Sequence, residues 1–395
     1  MKPASGCRLF GAYQALMGIK DVSVLIHSVV GCGFGTMSFH VPSQMNDIRQ
    51  SCTVISDSDV VYGGEEFLNR AIISSLKQYD SNALFVISGC VSEIIGTDVR
   101  AAVEKYSDNH SIYYIESAGF RGDSEQGYEL ALASLAELMQ PAAERDTENP
   151  VVNILGFGAD DFRCRQDVDE LRRLIEPQVT LGAAVSACSL KEIKTASSAS
   201  LNIVVGRGLA LAQKMEQMFG IPYRIIDYPY GLTGTAELFS CLEEFFSVDY
   251  SCTLKTQKTD VIRRFETVYP YLQAFYQVPA ALIGTGGRAN GLRKFLSEEL
   301  GFEVRCFAQR EKISDIEDFF NEVRDSECAL LFGSSFEQEL ADDMKIPLLR
   351  YDYPVFDRVC LTDSPYAGAA GALCLTEDLL NEIMTSRPGK GALYQ

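Results

Sequence analysis

Short, continuous apolar runs recur along this chain, separated by longer stretches in which apolar residues return every three or four positions. The runs Val22–Val30, Ala83–Ser88, Ile112–Ile115, Val151–Gly156, Ser200–Val205, Ala280–Gly284 and Cys328–Phe332 read as buried parallel strands. The stretches Gly64–Gln78, Asp98–Tyr106, Gly127–Leu138, Leu209–Phe219 and Asn290–Leu300 have helical periodicity. Strand and helix in alternation predict doubly wound α/β domains. At 395 residues the chain exceeds what one core supports. Pro141–Pro150 is polar enough to be a linker. A second break is expected at Thr253–Asp260, before a new helix, strand and glycine loop. The expectation is therefore an α/β protein of three Rossmann-like doubly wound domains, with parallel sheets around a central cleft. Their bounds are placed at residues 1–145, 146–257 and 258–395.

Composition adds constraints. The chain is 47% hydrophobic and 23% charged, with a formal net charge of −19. That balance argues against nucleic acid and anionic membrane as partners and suits docking to another protein through complementary charge. The first residues, MKPASGCRLFGAYQ, carry no apolar core of signal-peptide length. Val22–Asn46 holds no charged residue but contains Gly31, Gly33, Gly35 and Pro42. A buried strand followed by a glycine-rich loop explains it better than a membrane span, and a cytoplasmic protein is expected.

Twelve cysteines stand against three histidines, His27, His40 and His110. With no export signal, disulfides are not expected; thiolate ligation or core packing must account for the cysteines. Cys7, Cys32 and Cys90 each follow a glycine, and Cys32 and Cys90 come directly after predicted strands. The carboxyl ends of parallel strands are where α/β sheets gather ligands. Glycine beside a ligating cysteine lets the backbone approach a bulky sulfide. Taken singly, each cysteine is more simply read as a small buried residue that fills space.

The blocks around them sharpen the reading. Gly6-Cys7 through Gly11-Ala12, Gly18-Ile19, His27 with Gly31-Cys32, Asp59-Val60-Val61-Tyr62-Gly63-Gly64-Glu65-Glu66 and Ser88-Gly89-Cys90-Val91-Ser92-Glu93-Ile94-Ile95-Gly96 resemble the nitrogenase component 1 family. Spacings of 25 and 58 residues between the three cysteines are similar to those of its β-type subunit. Weaker resemblance continues through Gly119-Phe120-Arg121-Gly122 (similar to an α-type segment), Asn202–Val205, Met215–Pro222 and Tyr353–Arg358 with Gly368 and Gly371. The resemblance implies an iron–sulfur cluster, 4Fe–4S or 8Fe–7S, held by Cys7, Cys32 and Cys90. That cluster would be shared with an α-type or identical subunit in a dimer or α2β2-type tetramer. It would be reduced by a separate ATP-dependent iron protein. The role implied is electron relay in a nitrogenase-like oxidoreductase; a scaffold for cofactor assembly, without turnover, is the alternative.

Departures from the family refine this expectation. The cysteine and histidine that hold a large metallocofactor in some members fall here at Gly206 and near Asp352, so such a cofactor would belong to a partner subunit. Asp123 falls where β-type subunits can present an oxygen ligand, but an acidic residue at a helix start is also a cap. His27 is either a neighbour of the Cys32 site or a satisfied buried histidine. Gly284-Thr285-Gly286-Gly287-Arg288 lies between strand and helix without a G-x-G-x-x-G spacing, and a turn is the simpler reading. No G-x-x-x-x-G-K-[ST] loop occurs, so ATP would be hydrolysed by the partner. Catalytic residues are not identifiable.

Overall fold

The computed structural model describes residues 6–38, 49–142, 145, 148–176 and 178–385. It contains three four-stranded sheets, all parallel. The first has β1 (Val22–His27), β2 (Gln50–Cys52), β3 (Ala83–Ser88) and β4 (Ile112–Ile115) in the order β2-β1-β3-β4. The second has β5 (Val151–Leu155), β6 (Thr180–Ala184), β7 (Leu201–Val205) and β8 (Tyr223–Ile226) in the order β6-β5-β7-β8. The third has β9 (Pro279–Gly284), β10 (Glu303–Gln309), β11 (Leu330–Gly333) and β12 (Leu348–Arg350) in the order β10-β9-β11-β12. This is the expected three-unit α/β architecture. Each sheet has a switch point between its two central strands, beside which ligands bind in such folds.

The central strands form because their runs are apolar on both faces. Every residue of β1 and β3 is buried, and the two pair from Val22–Ala83 to His27–Ser88. The helices cover them with one stripe each: in Ile316–Asp325 the buried residues are Ile316, Phe319, Phe320 and Val323, one face at helical spacing. The cores are not separate. Leu155 and Val204 of the second sheet pack in one cluster with Ile26 of the first and with Leu9 and Ala12 of the helix Arg8–Leu16, while a second cluster joins the second and third sheets.

Three segments differ from expectation. Gly31-Cys32-Gly33 is not a loop: Val30–Ser38 is a helix, and Cys32 sits in its first turn. Its three alternate glycines do not stop the helix, which two residues separate from the end of β1. Thr253–Asp260 lies inside one helix, Ser251–Thr267, whose polarity reflects exposure, since Val261 is its one fully buried residue. The helix Gly368–Thr385 packs against Cys164–Ile175, Gly231–Phe245 and Ser251–Thr267, and so returns to the second unit. Asp167 anchors this return by accepting from the backbone N–H of Tyr366 (2.5 Å) and Ala367 (2.8 Å). His40 and Pro42 lie outside the described residues. Among the described residues no helix is long and apolar enough to cross a membrane.

Candidate functional site

The carboxyl edge of the first sheet brings the predicted cysteines together. Cys32 follows β1 and Cys90 follows β3, so they flank the β1/β3 switch point. Cys90 opens the helix Cys90–Ile94. Cys7 stands in extended backbone before the helix Arg8–Leu16. It is fixed there by a two-residue bridge to Asp123, with Arg8 N–H donating to Gly122 O (3.0 Å) and Ser124 N–H to Gly6 O (2.9 Å).

After β4 the chain turns at Gly119–Arg121, and that turn separates two of the sulfurs. A Cβ at Gly119 would stand 3.2 Å from Cys90 Sγ and 3.3 Å from Cys7 Sγ. Cys32 joins them through Ser28: its Sγ accepts from Ser28 Oγ at 3.1 Å, and Ser28 presses on Gly89, where a Cβ would meet that oxygen at 2.0 Å. Cys7 is exposed, and Cys32 and Cys90 are half-buried. On the elements that carry or adjoin them Val30, Phe34, Met37, Ile94 and Phe120 are exposed, and so are Val61 and Tyr62 of the helix Asp57–Tyr62, Tyr62 by 88%. Among the described residues no three His, Cys, Asp or Glu side chains surround a single-ion site.

Other candidates sort themselves by their partners. Asp123 Oδ1 accepts from the N–H of Gln126 at 2.9 Å, so the carboxylate caps the helix Ser124–Leu135. His27 is buried, with Nδ1 3.1 Å from Thr53 Oγ1, while the hydroxyl that reaches Cys32 belongs to Ser28. Burial pulls the imidazole down to about 4, so it is neutral at pH 7, and its Nε2 has no hydrogen-bond partner. Cys52 lies near Cys32, its thiol 3.7 Å from two backbone carbonyls, and burial raises its pKa.

A second constellation escaped the sequence reading. Where the three units meet, charges alternate in a buried chain. Arg207 pairs with Asp161 (3.1 Å), Asp161 faces Arg288 (3.8 Å) and Arg288 faces Asp352 (3.7 Å). Asp352 then faces Arg310 (3.5 Å), and Arg310 pairs with Glu337 (2.7 Å). Arg207 and Arg288 also lie over the rings of Tyr128 (4.0 Å) and Tyr228 (4.3 Å). One signal could have found this network. Arg207, Arg288 and Arg310 each come within a few residues of the carboxyl end of a strand, as ligand-facing residues do. Gly206 takes a positive φ of 100° and lies against Gly287. Asp352 accepts from Thr285 N–H (2.8 Å) and Oγ1 (2.7 Å). Beside the network lies a cavity of about 380 Å³ with walls from all three units, among them Cys7, Phe10, Arg207, Thr285, Arg310 and Tyr353.

A sequence model of the family described as nitrogenase component 1 type oxidoreductase matches residues 7–384. The nitrogenase molybdenum-iron protein alpha chain of Methanothermobacter marburgensis is 27% identical over 76% of this chain and 67% of its own length. The nitrogenase iron-molybdenum cofactor biosynthesis protein NifE of Methanosarcina barkeri is 29% identical over 81% and 73%. NifN of Bradyrhizobium diazoefficiens, another cofactor biosynthesis protein, is 22% identical over 95% and 88%. Among solved structures, nitrogenase Cp1 at pH 6.5 superposes with a TM-score of 0.81 at 18% identity, over 98% of this chain and 93% of that one, a likeness of fold.

Proposed function

Because this chain belongs to the nitrogenase component 1 type oxidoreductase family, we propose that it is a β-type, cluster-carrying subunit of a nitrogenase-like reductase. In this reading it relays electrons from an ATP-dependent iron protein to a substrate site in the complex. The observation that carries the reading is the meeting of Cys7 and Cys90 at Gly119, with Cys32 tied to the same edge through Ser28. Thiolates suit iron, and Gly119 leaves open the space a side chain would fill between two of them. An iron–sulfur cluster, 4Fe–4S or 8Fe–7S, supplies one-electron storage when bound. The residues that would hold it are Cys7, Cys32 and Cys90.

The exposed apolar residues on the elements that carry or adjoin these cysteines support a partner, an α-type subunit or a second copy, that covers them and completes the ligand set. Gly206 offers no ligand, and both oxygens of Asp352 are taken by Thr285. A resident metallocofactor bound in this chain through those positions is therefore not part of the proposal. A scaffold role in cofactor assembly is the second reading, favoured by the similarity to NifE and NifN.

Anaerobic purification tests the ligand set. Iron and acid-labile sulfide are expected in roughly equal amounts and are lost or strongly reduced in Cys7→Ala, Cys32→Ala and Cys90→Ala. Cys306→Ala and Cys374→Ala retain them. Equal loss from all five variants would overturn the assignment. Turnover with the cognate iron protein separates the reductase from the scaffold.

A further inference from the structure

We propose that Ser28 is a positioning residue of the cysteine site: through its bond to Cys32 Sγ, its hydroxyl raises the reduction potential of the cluster proposed there. This role rests on the reading of Cys7, Cys32 and Cys90 as the ligand set, and adds to it a residue that holds no iron itself.

Ser28 follows β1 directly, and Cys32 lies four residues further on, in the first turn of the helix Val30–Ser38. The hydroxyl donates to Cys32 Sγ at 3.1 Å, and among the described residues that sulfur is its one acceptor. The backbone beneath it is fixed. Its N–H donates to Thr53 Oγ1 (3.1 Å), and its carbonyl accepts from Ile55 N–H (2.9 Å) and from Thr53 Oγ1 (3.3 Å). Ser28 is fully buried, and a Cβ at Gly89 would meet its Oγ at 2.0 Å and its Cβ at 2.5 Å. Glycine at 89 is therefore what lets the serine side chain lie between the ends of β1 and β3. A hydroxyl buried in this way has no water to turn to, so its proton stays directed at the sulfur.

Cysteine ligates iron as the thiolate, and a hydrogen bond to that charge is stronger than one to a neutral sulfur. One added electron raises the negative charge on the sulfurs of a cluster. Ser28 therefore stabilises the reduced state more than the oxidised one, as hydrogen bonds to cluster sulfurs do. Burial enlarges the difference, because the local dielectric is low. Ser28 keeps its proton throughout; only the bond strengthens.

Potentiometric titration with dithionite, followed by electron paramagnetic resonance, tests this on the anaerobically purified protein with any subunit that accompanies it. Wild type is compared with Ser28→Ala and Ser117→Ala. Ser117 is the control, a buried hydroxyl at the same edge of the sheet that donates to Ser88 O (2.9 Å) rather than to a sulfur. Ser28→Ala is expected to keep its iron and acid-labile sulfide. At a given potential its reduced fraction should fall about tenfold relative to the oxidised one, a downward shift of about 59 mV for one electron. Ser117→Ala is expected to titrate as wild type does. An unshifted or raised potential in Ser28→Ala, or an equal downward shift in both variants, would overturn the tuning role and leave the ligand set in place. Loss of iron from Ser28→Ala would also overturn it, by making the serine part of what holds the cluster. A wild type without iron and sulfide would overturn both readings.

Discussion

Cys90 Sγ lies 3.2 Å from the point where a Cβ on Gly119 would stand, and the same point is 3.0 Å from Cys7 Cβ. Gly119 lies outside the left-handed region, so alanine there changes space without adding backbone strain. Gly119→Ala is expected to fold with a near-normal urea midpoint and to bind markedly less iron, as the cysteine variants do. Full iron loading in this variant would show that the two sulfurs do not act as a pair.

The exposed ring of Phe34, on the helix that carries Cys32, and that of Tyr62 are unusual on an isolated chain. The purified protein is expected to run as a dimer or an α2β2-type tetramer in anaerobic sizing. Phe34→Asp combined with Tyr62→Asp should shift it towards monomer and lower its iron content together. A stable monomer with stoichiometric iron would count against a shared cluster.

Asp161 stands between Arg207 and Arg288, with all three side chains buried. Removing one partner from such a set leaves uncompensated charge, at a cost of about 3–5 kcal/mol. Asp161→Asn is expected to lower the urea midpoint by a corresponding amount. Arg263→Ala, which removes an exposed pair with Asp260, should leave the midpoint where it was. Equal behaviour of the two variants would show that the buried chain of charges contributes no coupling.

His27 titrates near 4 in the fold against 6.5 in a free chain, because burial disfavours its charged form. The unfolded chain therefore binds the proton first. Stability from this group is complete above pH 6.5 and is lost as pH falls towards 4, by up to about 3 kcal/mol. Glu125 and Asp160, both raised by burial to about 7, tilt the other way, losing stability as pH rises from about 4 to 7. The comparison is thus between wild type and His27→Gln at each pH. The variant should lose less of its urea midpoint between pH 6.5 and 4, and parallel curves would contradict the buried, neutral imidazole.

Electron delivery gives the last prediction. The chain carries 54 acidic residues against 35 basic ones, and no phosphate-binding loop of the G-x-x-x-x-G-K type. Reduction of the bound cluster by an iron protein is expected to need MgATP and to slow with rising salt, because screening weakens an electrostatic docking step. Stopped-flow absorbance with and without MgATP at two salt concentrations reads this directly. Rapid, salt-indifferent reduction by NADH alone would reject the proposed donor.

What was legible in the sequence follows from burial. β1, β3, β5, β7, β9 and β11 are the central strands of their sheets, and covering both faces forces continuous apolar runs that mark them. The strands that were missed, β2, β6, β8, β10 and β12, are all edges. β8 shows why: its Arg224 and Ile225 are exposed, so an edge strand needs no apolar run. Cys7, Cys32 and Cys90 stood out through the family-like blocks around them, with an adjoining glycine and, for two of them, a strand end as the lesser signal; their part as ligands belongs to the proposal. Ser28 and Gly119 did not, since their part depends on distances closed only when β1, β3 and β4 pair. The chain of charges from Arg207 to Glu337 was illegible for the same reason. Asp161, Arg288, Asp352 and Arg310 come from two different units, and only their packing makes them neighbours in a medium where an unpaired charge would be costly.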